Sequence, residues 1–173
     1  QAMAATLIYA GLRRSEMLWL TAADVDFSAG RYGMLRIRAK NVLGEFWEPK
    51  TGQERAVPVN SCLRPVLEAY ASSVDTSLTW FFPSPKGKRW DPDNFSQCLR
   101  FRNLAACLSW SALDFRHTFG SQLAMKGESL YKISALMGNS PEICRRHYAA
   151  LLPESLVNCV EFPESVNVCQ EQQ

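Results

Sequence analysis

The stretch RYGMLRIRAKNVLGEFWEPKTGQERAVPV, at residues 31–59, decides the fold class that the sequence predicts. Apolar and basic residues alternate from Arg31 to Lys40, which is typical of a strand buried on one face. Two more short strands are expected around Glu45–Pro49 and Arg55–Val59, and the turn Lys50-Thr51-Gly52 would join them in a hairpin. Residues 31–59 therefore predict a small antiparallel sheet.

Helical patterns lie on both sides of this stretch. Before it, helix-forming residues run from Ala2 to Ala10, Gly11 interrupts them, and a short second helix is expected from Arg13 to Leu20. After it, further helices are expected at about Cys62–Tyr70, Asp91–Asn103, Ala112–Met125, Leu130–Met137 and Pro141–Leu151. Gly127 and Gly138 stand where helix C-caps are needed. The order of helices, sheet and helices predicts an α+β domain that is mostly helical, rather than a doubly wound fold.

Length and composition are those of an ordinary globular domain. The chain has 173 residues, of which 47% are hydrophobic and 21% charged. No apolar run is long enough for a membrane span and no basic-then-apolar leader opens the sequence, so neither membrane insertion nor secretion is expected. Six scattered cysteines without a C-x-x-C pair are typical of a reduced, cytoplasmic protein. A zinc site on Cys144 and His147 would need remote ligands and is not expected.

Charge is divided unevenly along the chain. Residues 1–150 carry 19 Lys and Arg against 13 Asp and Glu, whereas residues 151–173 hold four Glu and no Lys or Arg. We therefore expect a basic body followed by an acidic C-terminal tail at residues 152–173, which is available to pack on a neighbour. The helix-forming run at Ala2 has no initiator Met before it, so we expect the sequence to be part of a longer protein.

Four residues with reactive or anion-binding side chains stand in a turn or near the ends of predicted helices. Arg13 begins a helix, Lys50 lies in a turn, Arg116 lies in the first turns of its helix and Tyr148 lies on the last helix. Each alone has a plainer interpretation, as a capping arginine, a solvated turn lysine, a buried arginine or a core aromatic. Together they suit metal-free phosphodiester exchange. Arginines neutralise transition-state charge, a lysine protonates the departing sugar oxygen, and a tyrosine attacks phosphorus and holds it covalently.

The motifs around these residues resemble those of the tyrosine recombinase, or phage integrase, family. The matching segments are GLRRSE at 11–16, KTGQERAVPV at 50–59, LDFRHTF at 113–119, and LMGNS at 136–140 followed by His147-Tyr148. All four occur in the family's order and at its spacing. The resemblance implies the recombinase catalytic-domain fold over residues 1–151, without the N-terminal DNA-clamping domain that the family normally adds.

The resemblance also implies a role for each site residue. It assigns phosphate clamping to Arg13 and Arg116, assistance in that clamping to Asn139, general-acid catalysis to Lys50 and nucleophilic attack to Tyr148, which gives five catalytic residues. Glu16 and His117 would support them.

Two positions depart from the family pattern. Leu113 stands where the family usually has a histidine, three residues before the second arginine, and it cannot exchange a proton. Asn139 stands nine residues before the nucleophile, where histidine or tryptophan is usual, and it can still donate a hydrogen bond to a phosphate oxygen.

The implied function is site-specific DNA recombination or integration through a covalent 3′-phosphotyrosyl intermediate. Double-stranded DNA would be the partner, bound by a homotetramer on paired sites, and no metal, cofactor, membrane or small-molecule substrate is expected. Three alternatives stay open: a slow enzyme, an enzyme in which His117 or His147 replaces the lost histidine, and an inactive member that binds DNA without cutting. An unrelated helical interaction domain would not bring the four residues together in one concave basic face.

Overall fold

The computed structural model describes residues 1–75 and 77–152, so the predicted acidic tail lies almost entirely outside the described residues. Seven α-helices are described: α1 (Ala2–Ala10), α2 (Arg14–Leu18), α3 (Leu63–Ser73), α4 (Pro92–Ala105), α5 (Ala112–Met125), α6 (Leu130–Met137) and α7 (Pro141–Tyr148). The predicted α+β class, with most of its structure helical, is confirmed. In this part of the chain, the helices are all too short or too polar to cross a membrane.

The strands form two small antiparallel sheets. Three strands, β1 (Val25–Asp26), β2 (Met34–Ile37) and β5 (Arg55–Pro58), form one sheet in the order β1-β2-β5. The other sheet is a ribbon of β3 (Lys40–Val42) and β4 (Glu45–Trp47). A small antiparallel sheet was predicted, and its presence is confirmed.

The predicted pairing of strands was wrong in one respect. The strand after the Lys50 turn pairs with β2 and not with β4, so the turn connects two sheets and is not a hairpin. The reason is that β4 already has a local partner. Leu43 and Gly44 both have positive φ, of 53° and 84°, as two-residue hairpin turns require, and they fold β4 back on β3. Pairing β5 with β2 instead sets Val57 opposite Leu35, and both side chains are buried.

Two hydrophobic clusters meet along α5. The larger cluster contains α1, α2, the three-stranded sheet and the aromatic pair Phe81 and Phe82, and it also includes Phe115 of α5. The smaller cluster contains Phe119 of α5 with residues of α6 and α7, including Tyr148. Helix α5 therefore carries side chains into both clusters and sets the positions of the two halves of the chain.

Two glycines bring distant segments close together. Gly11 ends α1 in the left-handed conformation, with φ of 61°, and a Cβ there would lie 2.2 Å from a ring carbon of Phe119. Gly138 ends α6 in the same conformation, with φ of 62°, and packs closely against the guanidinium of Arg55. As a result, the start of α2 and the turn after α6 both lie beside α5.

Candidate active site

One cleft of about 560 Å³ gathers the predicted site residues. Among the side chains that line it are Arg13, Lys50, Leu113, Arg116, His117, Asn139 and Tyr148. They come from the start of α2, the turn before β5, α5, the turn after α6, and α7. The structure thus brings together all five predicted catalytic residues, together with His117 and the departing position Leu113. An unrelated interaction domain would not have placed them in one cleft.

The two arginines converge on a single oxygen atom. Nη2 of Arg13 donates to Oδ1 of Asn139 at 2.7 Å, and Nη2 of Arg116 donates to the same atom at 3.1 Å. Asn139 was expected to donate to a phosphate, but here its carbonyl oxygen is the acceptor for both arginines. A phosphate oxygen can accept hydrogen bonds in the same way, so the spacing of the two guanidinium groups suits one phosphate-sized anion.

Backbone carbonyl groups hold both guanidinium groups in place. Arg13 also donates to the carbonyl of Gly138 at 2.5 Å, and Arg116 donates to the carbonyls of Gly11 and Met137. Arg116 is almost fully buried, and its burial, followed by the charge of Arg13, lowers its pKa to about 10. Arg116 is therefore still a cation at neutral pH, fixed at the bottom of the cleft.

A buried carboxylate, Glu16, lies beneath the arginines. It accepts hydrogen bonds from the backbone N–H of Arg13 at 2.7 Å and from Nη1 of Arg13 at 2.8 Å. Arg55 donates to both of its oxygens, at 2.9 and 2.7 Å, and Nη1 of Arg116 lies 3.9 Å away. Burial alone would raise the pKa of Glu16, but hydrogen bonds and charge from Arg55 and hydrogen bonds from Arg13 outweigh it and hold the pKa below its ordinary value.

Arg55 is a site residue that the sequence analysis missed. Besides its two bonds to Glu16, it donates from Nε to the carbonyl of Leu136 at 2.9 Å, and so ties β5 to the end of α6. Strand periodicity could have revealed it, because Arg55 shares a face of β5 with the buried Val57. An arginine on a buried face needs an acid partner, and Glu16 is that partner.

Tyr148 is buried at the wall of the cleft, with 1% of its surface exposed. Its ring lies against Gly120 of α5, where a Cβ would come within 2.4 Å of Cζ. Its hydroxyl group lies 2.9 Å from Nδ1 of His117. Burial raises the pKa of Tyr148, and the charge of Arg116 opposes that effect only in part. His147 is exposed, and its ring centroid lies 5.2 Å from that of His117.

Lys50 and Leu113 lie at the rim of the cleft. Lys50 is exposed in the turn that follows the buried Pro49, so its ammonium group is free to move toward a ligand in the cleft. Leu113 is 59% exposed and contributes little to the core. A histidine at position 113 would therefore face the cleft without a large packing cost. Within residues 1–75 and 77–152, no group of three or more His, Cys, Asp or Glu is placed to hold a metal ion.

An α+β domain that gathers two arginines, a lysine and a tyrosine in one cleft is suited to phosphoryl transfer without a metal. The family model of the phage integrase family matches residues 1–154, and the chain belongs to that family. Among curated proteins, the tyrosine recombinase XerC of Rhodospirillum centenum is 29% identical over 164 residues, which cover 90% of this chain and 44% of that protein. The chain thus spans less than half the length of this relative.

Solved structures of recombinases share the fold. The crystal structure of XerA recombinase superposes with a TM-score of 0.71 at 21% identity, covering 91% of this chain and 54% of that one. The Tn1549 transposon integrase in complex with circular intermediate DNA gives a TM-score of 0.72 at 19% identity, covering 85% of this chain and 54% of that one. The recombinase catalytic-domain fold that the motifs implied is confirmed.

Proposed function

We propose that this chain is the DNA-cleaving and rejoining part of a site-specific recombinase, with residues 1–151 as its catalytic domain. The observation that carries the proposal is the convergence of Arg13 and Arg116 on one oxygen, in the cleft that Lys50 and Tyr148 also line. The relative from Rhodospirillum centenum is a tyrosine recombinase, which supports the same reaction. Double-stranded DNA is the proposed partner, and a homotetramer on paired sites in the cytoplasm is the proposed working form.

The site residues divide the chemistry among them. Arg13 and Arg116 bind the non-bridging oxygens of the scissile phosphate and neutralise the charge that develops there. The hydroxyl oxygen of Tyr148 loses its proton and bonds to phosphorus while the bond from phosphorus to O5′ breaks. Lys50 donates a proton to O5′, so a 3′-phosphotyrosyl link and a free 5′-hydroxyl remain. Attack by another 5′-hydroxyl reverses each of these steps and joins a new strand.

A second candidate function is DNA binding without cleavage. The observation that favours it is the apolar side chain of Leu113, which lies exposed at the cleft where a proton-transfer group would serve the reaction. Losing such a group typically slows a reaction by about 10²–10⁴-fold. The two functions differ in one product, the covalent complex between protein and DNA.

Covalent trapping separates these two functions. The substrate is a pool of duplexes with randomised flanks and a single central linkage in which sulfur replaces O5′, because a thiolate leaves without being protonated and cannot rejoin efficiently. We expect a covalent adduct on a denaturing gel with the wild-type protein and none with Tyr148→Phe. The matched control is Tyr131→Phe, because Tyr131 is 75% exposed on α6 and should leave the adduct intact. Retention of the duplexes on a native gel without any adduct would instead establish the non-cutting function.

A further inference from the structure

The attacking group of the proposed reaction needs a base. A tyrosine hydroxyl has an ordinary pKa of about 10, and burial raises the pKa of Tyr148 further. At neutral pH the hydroxyl is therefore protonated, and it must give up its proton as it bonds to phosphorus. The residue that accepts this proton must lie within hydrogen-bond reach of Oη.

His117 meets this requirement. Its Nδ1 atom lies 2.9 Å from Oη of Tyr148, and it is the only hydrogen-bond partner of that hydroxyl within residues 1–75 and 77–152. The contact is built into the packing of two helices. His117 and Gly120 lie one turn apart on α5, and the missing side chain at Gly120 leaves room for the tyrosine ring beside the histidine.

The other titratable groups near Tyr148 are poor acceptors. Lys50 and the two arginines are cations that donate hydrogen bonds. Burial raises the pKa of Cys144, so its thiol is protonated. The ring centroid of His147 lies 6.0 Å from that of Tyr148 without a hydrogen bond between them. Asp114 already accepts hydrogen bonds from the backbone and side chain of Ser111, and within the described residues no hydrogen bond joins it to Tyr148.

Burial, together with the neighbouring cations, favours the neutral form of His117. Asp114 and Arg116 on α5 and His147 and Tyr148 on α7 are the titratable groups that face it. Burial and then the proximity of His147 lower the pKa of His117, Arg116 lowers it further, and Asp114 opposes them. With the proton on Nε2, the neutral ring presents the Nδ1 lone pair to Oη, and the tyrosine hydroxyl donates to it.

We infer that His117 is the general base that takes the proton of Tyr148, and so supplies the proton transfer that Leu113 cannot. This inference rests on the proposed function. The proton moves from Oη to Nδ1 as the bond from oxygen to phosphorus forms, and the electron pair of the breaking bond leaves on O5′, which Lys50 protonates. In the rejoining step His117 returns its proton to Tyr148, so the residue is restored after each exchange.

The sulfur-containing duplex isolates the proton transfer from Tyr148 to His117, because its leaving group needs no acid. His117→Asn keeps a hydrogen-bond acceptor near Oη but removes the base. We expect adduct formation to slow by about 10²-fold or more, within the range of general-base catalysis. Free imidazole should restore part of the rate in His117→Ala, more strongly for more basic imidazoles, whereas a merely structural role would give no such trend.

The pH profile gives a second test. In the wild type, the rate of adduct formation should fall as pH drops through the pKa of His117, because the protonated ring cannot accept a proton. His147→Asn removes a neighbour that lowers this pKa, so the fall should move to higher pH. In His117→Asn the fall should be absent. A profile that is identical in all three proteins would overturn the inference.

Two outcomes distinguish the inference from the function on which it rests. Equal adduct rates in the wild type and in His117→Asn would overturn the role of His117 while leaving the recombinase function intact. No adduct in the wild type would overturn both.

Nitrogen-15 NMR of the two histidines tests the contact without altering His117. Tyr148→Phe should shift the Nδ1 signal of His117, and an unchanged signal would contradict the hydrogen bond.

Discussion

Replacing Glu16 with glutamine should be the most damaging single change near the site that preserves its shape. Glu16 is fully buried and accepts hydrogen bonds from Arg13 and Arg55, with Arg116 at 3.9 Å. Glutamine keeps the volume of the side chain but removes its charge and one of its two acceptor oxygens. Three guanidinium groups would then lie close together without their shared counter-ion, and Arg116 is itself buried.

The size of the expected loss of stability follows from the burial of Glu16 and Arg116. Removing one partner of a buried ion pair costs about 3–5 kcal/mol, because a buried charge is left without its partner. For a domain of this size, each kcal/mol lowers the melting temperature by about 2–4 °C, so a loss of about 6–20 °C is expected. The exposed Glu48 gives the matched control, and Glu48→Gln should leave the melting temperature nearly unchanged.

The contribution of Glu16 to the stability of the protein should depend on pH. The pKa of Glu16 in the folded protein lies below its ordinary value of 4.5. Its contribution to stability is therefore complete above that ordinary value and is lost as pH falls through the folded-state pKa. Melting curves of the wild type and Glu16→Gln should differ most near neutral pH and converge in acid. A variant that melts less than about 6 °C below the wild type at pH 7, which is the lower end of the expected loss, would refute the ion-pair argument.

Three further changes test the geometry of the cleft. Gly120→Ala places a Cβ 2.4 Å from Cζ of Tyr148, so it should displace the ring, cost about 1–3 kcal/mol of stability in a melting curve and abolish the DNA adduct. Leu113→His should leave the melting temperature unchanged, because this position is 59% exposed, and should raise the cleavage rate of His117→Asn, which lacks the proposed base, by about 10²-fold but change that of the wild type little. Lys50→Ala should slow cleavage of oxygen-linked DNA by about 10²–10⁴-fold, because the departing O5′ then lacks its proton donor. The same variant should cleave the sulfur-linked duplex at nearly the wild-type rate, because that leaving group needs no acid. Equal losses on both substrates would contradict the general-acid role.

The elements that the sequence predicted well are those with local signals. Gly11 and Gly138 end helices in the left-handed conformation, and that requirement is visible in the sequence as glycine after an apolar helical run. The four motifs also identified Arg13, Lys50, Arg116 and Tyr148, which the structure places in one cleft. The helices followed from periodicity and cap residues, whereas the short strand β1 was not predicted and the single strand predicted over Arg31–Lys40 is divided between β2 and β3.

The elements that were missed depend on long-range partners. The partner of β5 is β2, and the choice is set by the burial of Val57 against Leu35 rather than by the turn at Lys50. Arg55 is a site residue only because Glu16 lies beneath it, 39 positions away. The contact of His117 with Tyr148 likewise spans 31 positions and depends on the packing of α5 against α7.

Mapping the amino acid that becomes attached to DNA tests the central claim most directly. The adduct formed on the sulfur-linked duplex would be digested with nuclease and trypsin, and the modified peptide sequenced by mass spectrometry. Cleavage after Arg146 gives a peptide that begins at His147, so Tyr148 is its second residue. The account predicts one nucleotide attached through its 3′-phosphate to Tyr148. A nucleotide attached to any other residue, or attached through a 5′-phosphate, would contradict it.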